Sequence, residues 1–231
     1  MKRAKLMGVI GGMGPLATMD FATKVIRLTP ATKDQEHIPM IIDNKTTIPD
    51  RTNYILTGKD SPLESLIESA RFLERSGAEF LVMPCNTAHY FYEEIKREVS
   101  LPFLHIVEET VKEVLEQGDK IKKVALIATK GTYSCGLYER FFEQEETDLL
   151  LPDEDEKQLI MDMLYAIKSG TPMEVSPFER LLQRFIDKGG EHFILGCTES
   201  PLLFEQYGLS HPVFDSSLIL AQRAVEFAFS V

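Results

Sequence analysis

The sequence predicts an α/β fold of two similar α/β/α lobes, each built on a mainly parallel sheet, related by an internal duplication with a pseudo-twofold and enclosing a cleft. Three observations carry this expectation. Short runs that are apolar throughout alternate with segments whose apolar positions recur every three or four residues, the pattern of parallel strands covered by helices on both faces. The order of features in the first half returns in the second. Two cysteines, Cys85 and Cys197, stand at the same kind of strand-to-helix junction, one in each half.

In chain order, LMGVI (6–10) reads as a buried strand that runs into Gly11, Gly12, Met13, Gly14 and Pro15, followed by a helix to about Arg27. Glycines allow a tight turn and a close approach to a ligand, and Pro15 suits a first helical position. Such a loop before a helix is an anion-binding geometry. Gly12, Gly14 and Ala17 also match the dinucleotide fingerprint G-x-G-x-x-A, but Asp43, the acid at the end of the next strand (39–44), lies farther on than the roughly 20 residues that fold requires. The polar loop NKTTIPDRTN (44–53) holds Arg51, a candidate carboxylate anchor because its guanidinium can place two N–H donors on one carboxylate. Ser61 and Pro62 open an amphipathic helix to Arg75, closed by Gly77. The strand 79–83 then breaks at Pro84 and delivers Cys85 to the start of a helix over 87–99, and 101–105 is a further short strand.

From Ile121 the order begins again. KVALIA (123–128) is a buried strand leading to the loop Thr129, Lys130, Gly131 and Thr132, with a helix near 137–144 and a short strand at 149–152. Residues 153–169 are helical with Lys168 near the end; Ser176 and Pro177 open a helix closed by Gly189 and Gly190. The strand ending in Cys197 follows, then a helix over 201–207, a strand over 212–215 and a last helix over 217–229. Gly77 stands as far before Cys85 as Gly189 does before Cys197, and Ser61-Pro62 has its counterpart in Ser176-Pro177. Ligands of such sheets bind beyond the carboxyl ends of the strands, so facing lobes bring both thiols to one cleft.

Composition narrows the function. At 231 residues and 44% apolar content the chain can bury a sizeable core. A net charge of −11 argues against nonspecific binding to nucleic acid or to an anionic membrane. Neither a signal sequence nor an apolar run of membrane-spanning length is present, so a cytoplasmic location is expected. Three cysteines without a C-x-x-C pair argue against a disulfide framework and against a zinc site.

Two thiols on opposite sides of a cleft suit the transfer of a proton off one face of a carbon and onto the other, one thiolate acting as base and the other thiol as acid. That is racemisation. A helix N-terminus favours the thiolate and burial opposes it. Asn86, Thr87 and Thr198 beside the thiols, and Thr129 and Thr132 in the second-half loop, could hold a carboxylate or ammonium, or cap their helices. Arg51 and Lys168 precede their cysteines at comparable distances, a cation pair suited to a side-chain carboxylate. Cys135 has no counterpart and reads as a small core residue. One rival is a single cysteine nucleophile with a histidine base, for which His89 is placed; others are a dinucleotide enzyme and a non-catalytic protein binding an anionic metabolite.

The stretches IGGMGPLAT (10–18), DQEH (34–37), IPDRT (48–52), GAEFLVMPCNTAH (77–89), EET (108–110) and GCTE (196–199) resemble the aspartate racemases of the cofactor-independent aspartate/glutamate racemase family. The resemblance implies two lobes divided as 1–104 plus 212–231 and 105–211, and a homodimer. It implies Cys85 and Cys197 as the two bases, with no pyridoxal phosphate or metal. It places Arg51 and Lys168 at the substrate side-chain carboxylate, Asn86, Thr87, Met13 and Thr129 at the α-carboxylate and amino group, and Thr198 and Glu199 among the substrate-binding positions. GGMGP, and Glu199 where glutamate racemases have histidine, favour aspartate over glutamate or a broader range. The loop 43–47 and Lys130 depart from the family pattern and bear on substrate breadth.

Overall fold

The computed structural model describes residues 3–117 and 121–230. In the first half the elements are β1 (Met7–Ile10), α1 (Pro15–Leu28), β2 (Met40–Asp43), α2 (Arg51–Thr57), α3 (Leu63–Arg75), β3 (Phe80–Val82), α4 (Tyr92–Lys96) and α5 (Ile106–Leu115). The second half comprises β4 (Lys123–Ala128), α6 (Lys130–Ser134), α7 (Glu139–Phe142), β5 (Asp148–Leu150), α8 (Glu154–Ser169), α9 (Ser176–Asp187), β6 (His192–Gly196), α10 (Ser200–Gln206), β7 (Val213–Asp215) and α11 (Ser216–Phe229).

The strands form two parallel sheets, ordered β2-β1-β3 and β5-β4-β6-β7. Both place the first strand of the half between the second and the third, so the repeat read from the chain is a repeat of topology. The fourth strand is reduced in the first sheet to one parallel bridge, Leu81 to Phe103. The strand expected at 101–105 is thus shorter than its counterpart β7, although a proline, Pro102 or Pro212, stands at the start of each. The Pro102 carbonyl accepts from Leu81 N at 2.8 Å, as the Pro212 carbonyl accepts from Phe193 N at 3.0 Å in the second sheet. β1, β3 and nearly all of β4 and β6 are buried, as apolar runs covered on both faces must be.

Within the segment 212–231, β7 pairs with β6 in the second sheet, while α11 packs on α1 of the first lobe and on α5. Lys5 N donates to Ala228 O at 2.9 Å, joining the two ends of the chain. Residues 1, 2, 118–120 and 231 of the expected lobes lie outside the described residues.

Three local expectations change. Arg51 is the first residue of α2 rather than part of a loop, because Asp50 caps that helix by accepting from Asn53 N at 2.7 Å. The 129–132 loop is mostly the helix α6, with Thr129 as its cap accepting from Thr132 N at 3.2 Å. The helix expected over 87–99 begins as a 3-10 turn (Thr87–Phe91) before α4. The cause is visible at its first residues. The Cys85 carbonyl, which an α-helix would offer to His89 N, is bonded by the His89 ring, and His89 N turns to Asn86 O at 2.9 Å.

Two glycines are required by close approach. A Cβ on Gly12, whose φ is +89°, would lie 2.4 Å from the Lys45 carbonyl carbon. One on Gly131 would lie 2.8 Å from Thr52 Oγ1 and 2.9 Å from Thr87 Cγ2, where α6 of the second lobe meets the first. Among the described residues no helix is long and apolar enough to cross a membrane.

Candidate active site

β3 and β6 end in Met83-Pro84-Cys85 and Gly196-Cys197, and both carboxyl ends open on the same cavity. Ten of the residues singled out from the sequence line it, namely Met13, Arg51, Cys85, Asn86, Thr87, Thr129, Lys168, Cys197, Thr198 and Glu199, while Thr132 is not among its lining residues. The free volume at its centre is about 10 Å³, room for roughly one water, so binding a free amino acid requires the walls to move apart. Both thiols are buried and free of disulfides.

Hydrogen bonds between the lobes ring the cavity. Thr87 Oγ1 lies 2.8 Å from Thr129 Oγ1 and 3.1 Å from Thr132 Oγ1, a buried triad of hydroxyls drawn from both halves. Thr198 Oγ1 donates to Pro84 O at 3.3 Å, and Gly14 N donates to Glu199 Oε1 at 3.1 Å. Asn86 is held at both ends, its amide donating to Ser216 Oγ at 2.9 Å and its Oδ1 accepting from Tyr138 at 2.7 Å. Its side chain therefore fixes the backbone behind Cys85 rather than capping the turn.

The two cations have different surroundings. Arg51 is 9% exposed and donates to Pro49 O at 3.1 Å and to Met13 O at 3.4 Å, while its Nε has no protein partner. Lys168 lies 3.6 Å from Glu199 Oε1. Burial works against the Lys168 charge, but Glu199, and the two thiols when ionised, outweigh it and raise its pKa. The Cys197 thiol is pushed well above the ordinary thiol range, by burial first and then by Glu199, with Lys168 opposing. For Cys197, then, burial prevails over any benefit from the start of α10.

The sequence reading missed Asp50, Thr52 and Tyr165, which complete the wall. Tyr165 donates to Asp50 Oδ2 at 2.9 Å across the mouth, from α8 to the cap of α2. Signals existed for two of them. Asp50 follows a proline and precedes Asn53 at capping distance, and Tyr165 lies one helical turn before Lys168.

His89 is bound on both nitrogens. Nε2 accepts from Ile106 N at 3.2 Å, so Nδ1 carries the proton and donates to Cys85 O at 2.9 Å. Burial holds its pKa well below the usual range. The ring fixes the peptide that carries Cys85 and has no free nitrogen with which to act as base. His105 packs beside it, with ring centroids 4.7 Å apart, and caps α5 by accepting from Glu108 N at 3.2 Å. Burial pushes its pKa down to about 4. Because the unfolded chain titrates near 6.5, it binds more protons than the folded one between those values, and stability falls as pH falls through that window. His105→Asn, which keeps a capping acceptor, is expected to remove about 2 kcal/mol of the stability lost between pH 7 and pH 5. Urea unfolding at both pH values measures it, and an unchanged loss would contradict the assignment.

A model of the Asp/Glu/hydantoin racemase family matches residues 10–224. The chain belongs to that family. It is an amino-acid racemase, an isomerase, with the two-lobe fold of the family. The racemase is 31% identical over 229 residues to the broad specificity amino-acid racemase RacX of Bacillus subtilis (strain 168), covering 95% of this chain and 96% of that one. It is 31% identical over 161 residues to a glutamate racemase of Aquifex pyrophilus, covering 66% of this chain and 59% of that one. Among solved structures it resembles the Picrophilus torridus aspartate racemase with a TM-score of 0.86 at 30% identity, covering 97% and 94% of the two chains. Among the described residues of this racemase no group of three or more His, Cys, Asp or Glu side chains is placed to hold a metal ion.

Proposed function

We propose that the chain is a cofactor-independent racemase that interconverts L- and D-aspartate by two-base proton transfer between Cys85 and Cys197. The observation that carries the reading is that the two thiols, from equivalent strand ends of the two lobes, line one cavity with Arg51 and Lys168 in its wall. One thiolate takes the proton from Cα, the electron pair stays on the substrate, and the opposite thiol returns a proton to the other face. The α-carboxylate and amino group fall to Asn86, Thr87, Thr129, Thr198 and Met13, which line the same cavity as the thiols. Arg51 and Lys168 read the side-chain carboxylate. The same reading includes a homodimer in the cytoplasm that needs neither pyridoxal phosphate nor metal, with no nucleic-acid or membrane partner.

A broader substrate range is the second reading. It is favoured by the ion pair of Lys168 with Glu199, which already satisfies one of the two cations, and by the likeness to a broad specificity relative.

The deciding experiment is incubation of the purified protein with L-aspartate in deuterium oxide without added cofactor. Optical rotation is expected to decay to zero while one deuterium appears at Cα. If both fail while another amino acid racemises, the aspartate assignment falls. If no amino acid is turned over, two-thiol chemistry falls with it.

A further inference from the structure

The duplication makes the two thiols nearly equivalent, and the chain breaks that equivalence in charge two residues after each cysteine. Two residues after Cys85 stands Thr87; two residues after Cys197 stands Glu199. The Thr87 hydroxyl turns away to Thr129 and Thr132. Glu199, 3% exposed, turns back and accepts from the Cys197 thiol, Sγ to Oε2, at 3.1 Å. Its other oxygen accepts from Gly14 N at 3.1 Å and faces Lys168 Nζ at 3.6 Å. Both carboxylate oxygens are thus held by the protein, one against the thiol and the other against the facing lobe.

We propose that Glu199 is a positioning residue that keeps the proton on Cys197 between turnovers, so that the resting enzyme begins with Cys197 as the acid and Cys85 as the base. The proposal rests on the two-thiol reading and deepens it. In the turnover that starts from this state the Cα–H bond breaks, its electron pair remains on the substrate and its proton passes to the Cys85 thiolate. The Cys197 S–H bond then breaks, its proton bonds to the opposite face of Cα, and a thiolate is left against the Glu199 carboxylate. Two adjacent anions repel in a buried site, so that state is unfavourable and the proton returns to Cys197 before the next substrate of the same hand is taken. The other ionisable groups in these walls are Lys168, Tyr165, Cys85, Arg51 and Asp50, with Tyr133 and Tyr138 behind Cys197. Lys168 is the cation that opposes Glu199 at Cys197.

The test follows capture of Cys197 by iodoacetamide against pH, resolved by peptide mass spectrometry, because only the thiolate reacts. In the parent protein the rate is expected to rise about tenfold per pH unit beyond pH 9. In Glu199→Gln the midpoint should fall by about 1–3 pH units, giving capture roughly tenfold or more faster at pH 7.5. Glu199→Asp, which restores the charge, should bring the midpoint part of the way back. An unchanged midpoint in Glu199→Gln overturns the proposal. So does a rate increase by the same factor at every pH, which would mean that the variant only loosens the site. If Glu199→Gln does not fold, Glu199→Asp decides: its midpoint should lie below that of the parent, and an unchanged midpoint, or a parent rate that levels off below pH 8.5, overturns the proposal. None of these readouts requires turnover, so failure of the racemase reading would show separately in the L-aspartate assay.

Discussion

Cys85→Ala is expected to abolish racemisation of aspartate, and Cys197→Ala to do the same, each lowering kcat by roughly 10²–10⁴-fold or more. In the proposed mechanism each thiol exchanges a proton directly with Cα, so removing either one should cost the full contribution of a general acid or base. His89 is the nearest imidazole in sequence, and both its nitrogens are committed to backbone groups. The two variants should differ in what survives. Each retains the thiol that removes the proton from one enantiomer, so slow exchange of Cα hydrogen for deuterium without inversion is expected with one enantiomer in Cys85→Ala and with the other in Cys197→Ala. Proton NMR in deuterium oxide reads the exchange, and chiral chromatography reads the inversion. Full racemisation by either variant would reject two-base chemistry.

Arg51→Ala should reduce kcat/KM for aspartate by about 30-fold to several thousand-fold more than for alanine, the 2–5 kcal/mol that truncating one partner of a buried charge pair costs. Arg51 suits the role because it is buried, lies at the start of α2 and has an Nε without a protein partner. Its remaining contacts supply a competing explanation. It bonds to the Met13 carbonyl, so the same substitution could act by releasing the glycine loop. Substrate dependence separates the two. Loss confined to acidic amino acids means that Arg51 reads the side chain, whereas equal losses mean that it shapes the loop. Arg51→Lys keeps the charge and loses the fork, and should recover only part of the discrimination.

Much of this protein was legible before any tertiary contact was considered. Strands such as KVALIA are apolar throughout because both faces are covered, and that burial is written residue by residue. The recurrence of strand, loop, helix and cysteine exposes the duplication for the same reason, since each half must solve the same packing problem with its own residues. The placement of Cys85 and Cys197 at strand ends, of Pro15 at the start of α1 and of Asp153 at the cap of α8 all follow from local rules of backbone geometry and hydrogen bonding.

Helix starts were less legible where a side chain competes for a backbone acceptor. Cys85 O is bonded by the His89 ring, so the segment begins as a 3-10 turn although its apolar periodicity is helical. The helix that starts at Arg51 looks like a loop in the sequence because it is only two turns long and shows little periodicity, the capping aspartate being its main local mark.

The duplicated α/β lobes and the pair of strand-end cysteines are readable from the chain, because periodicity, turns and caps depend on neighbours a few residues apart. The partners of Glu199 and of Asp50 are set by the packing of the lobes. Gly14 and Glu199 are 185 residues apart, as Asp50 and Tyr165 are 115, and no local pattern brings them together. They meet because two lobes close on one cavity, where a buried carboxylate must find partners wherever the facing chain provides them. That closure holds Glu199 against Cys197, while the Thr87 side chain at the equivalent position bonds to Thr129 and Thr132 instead.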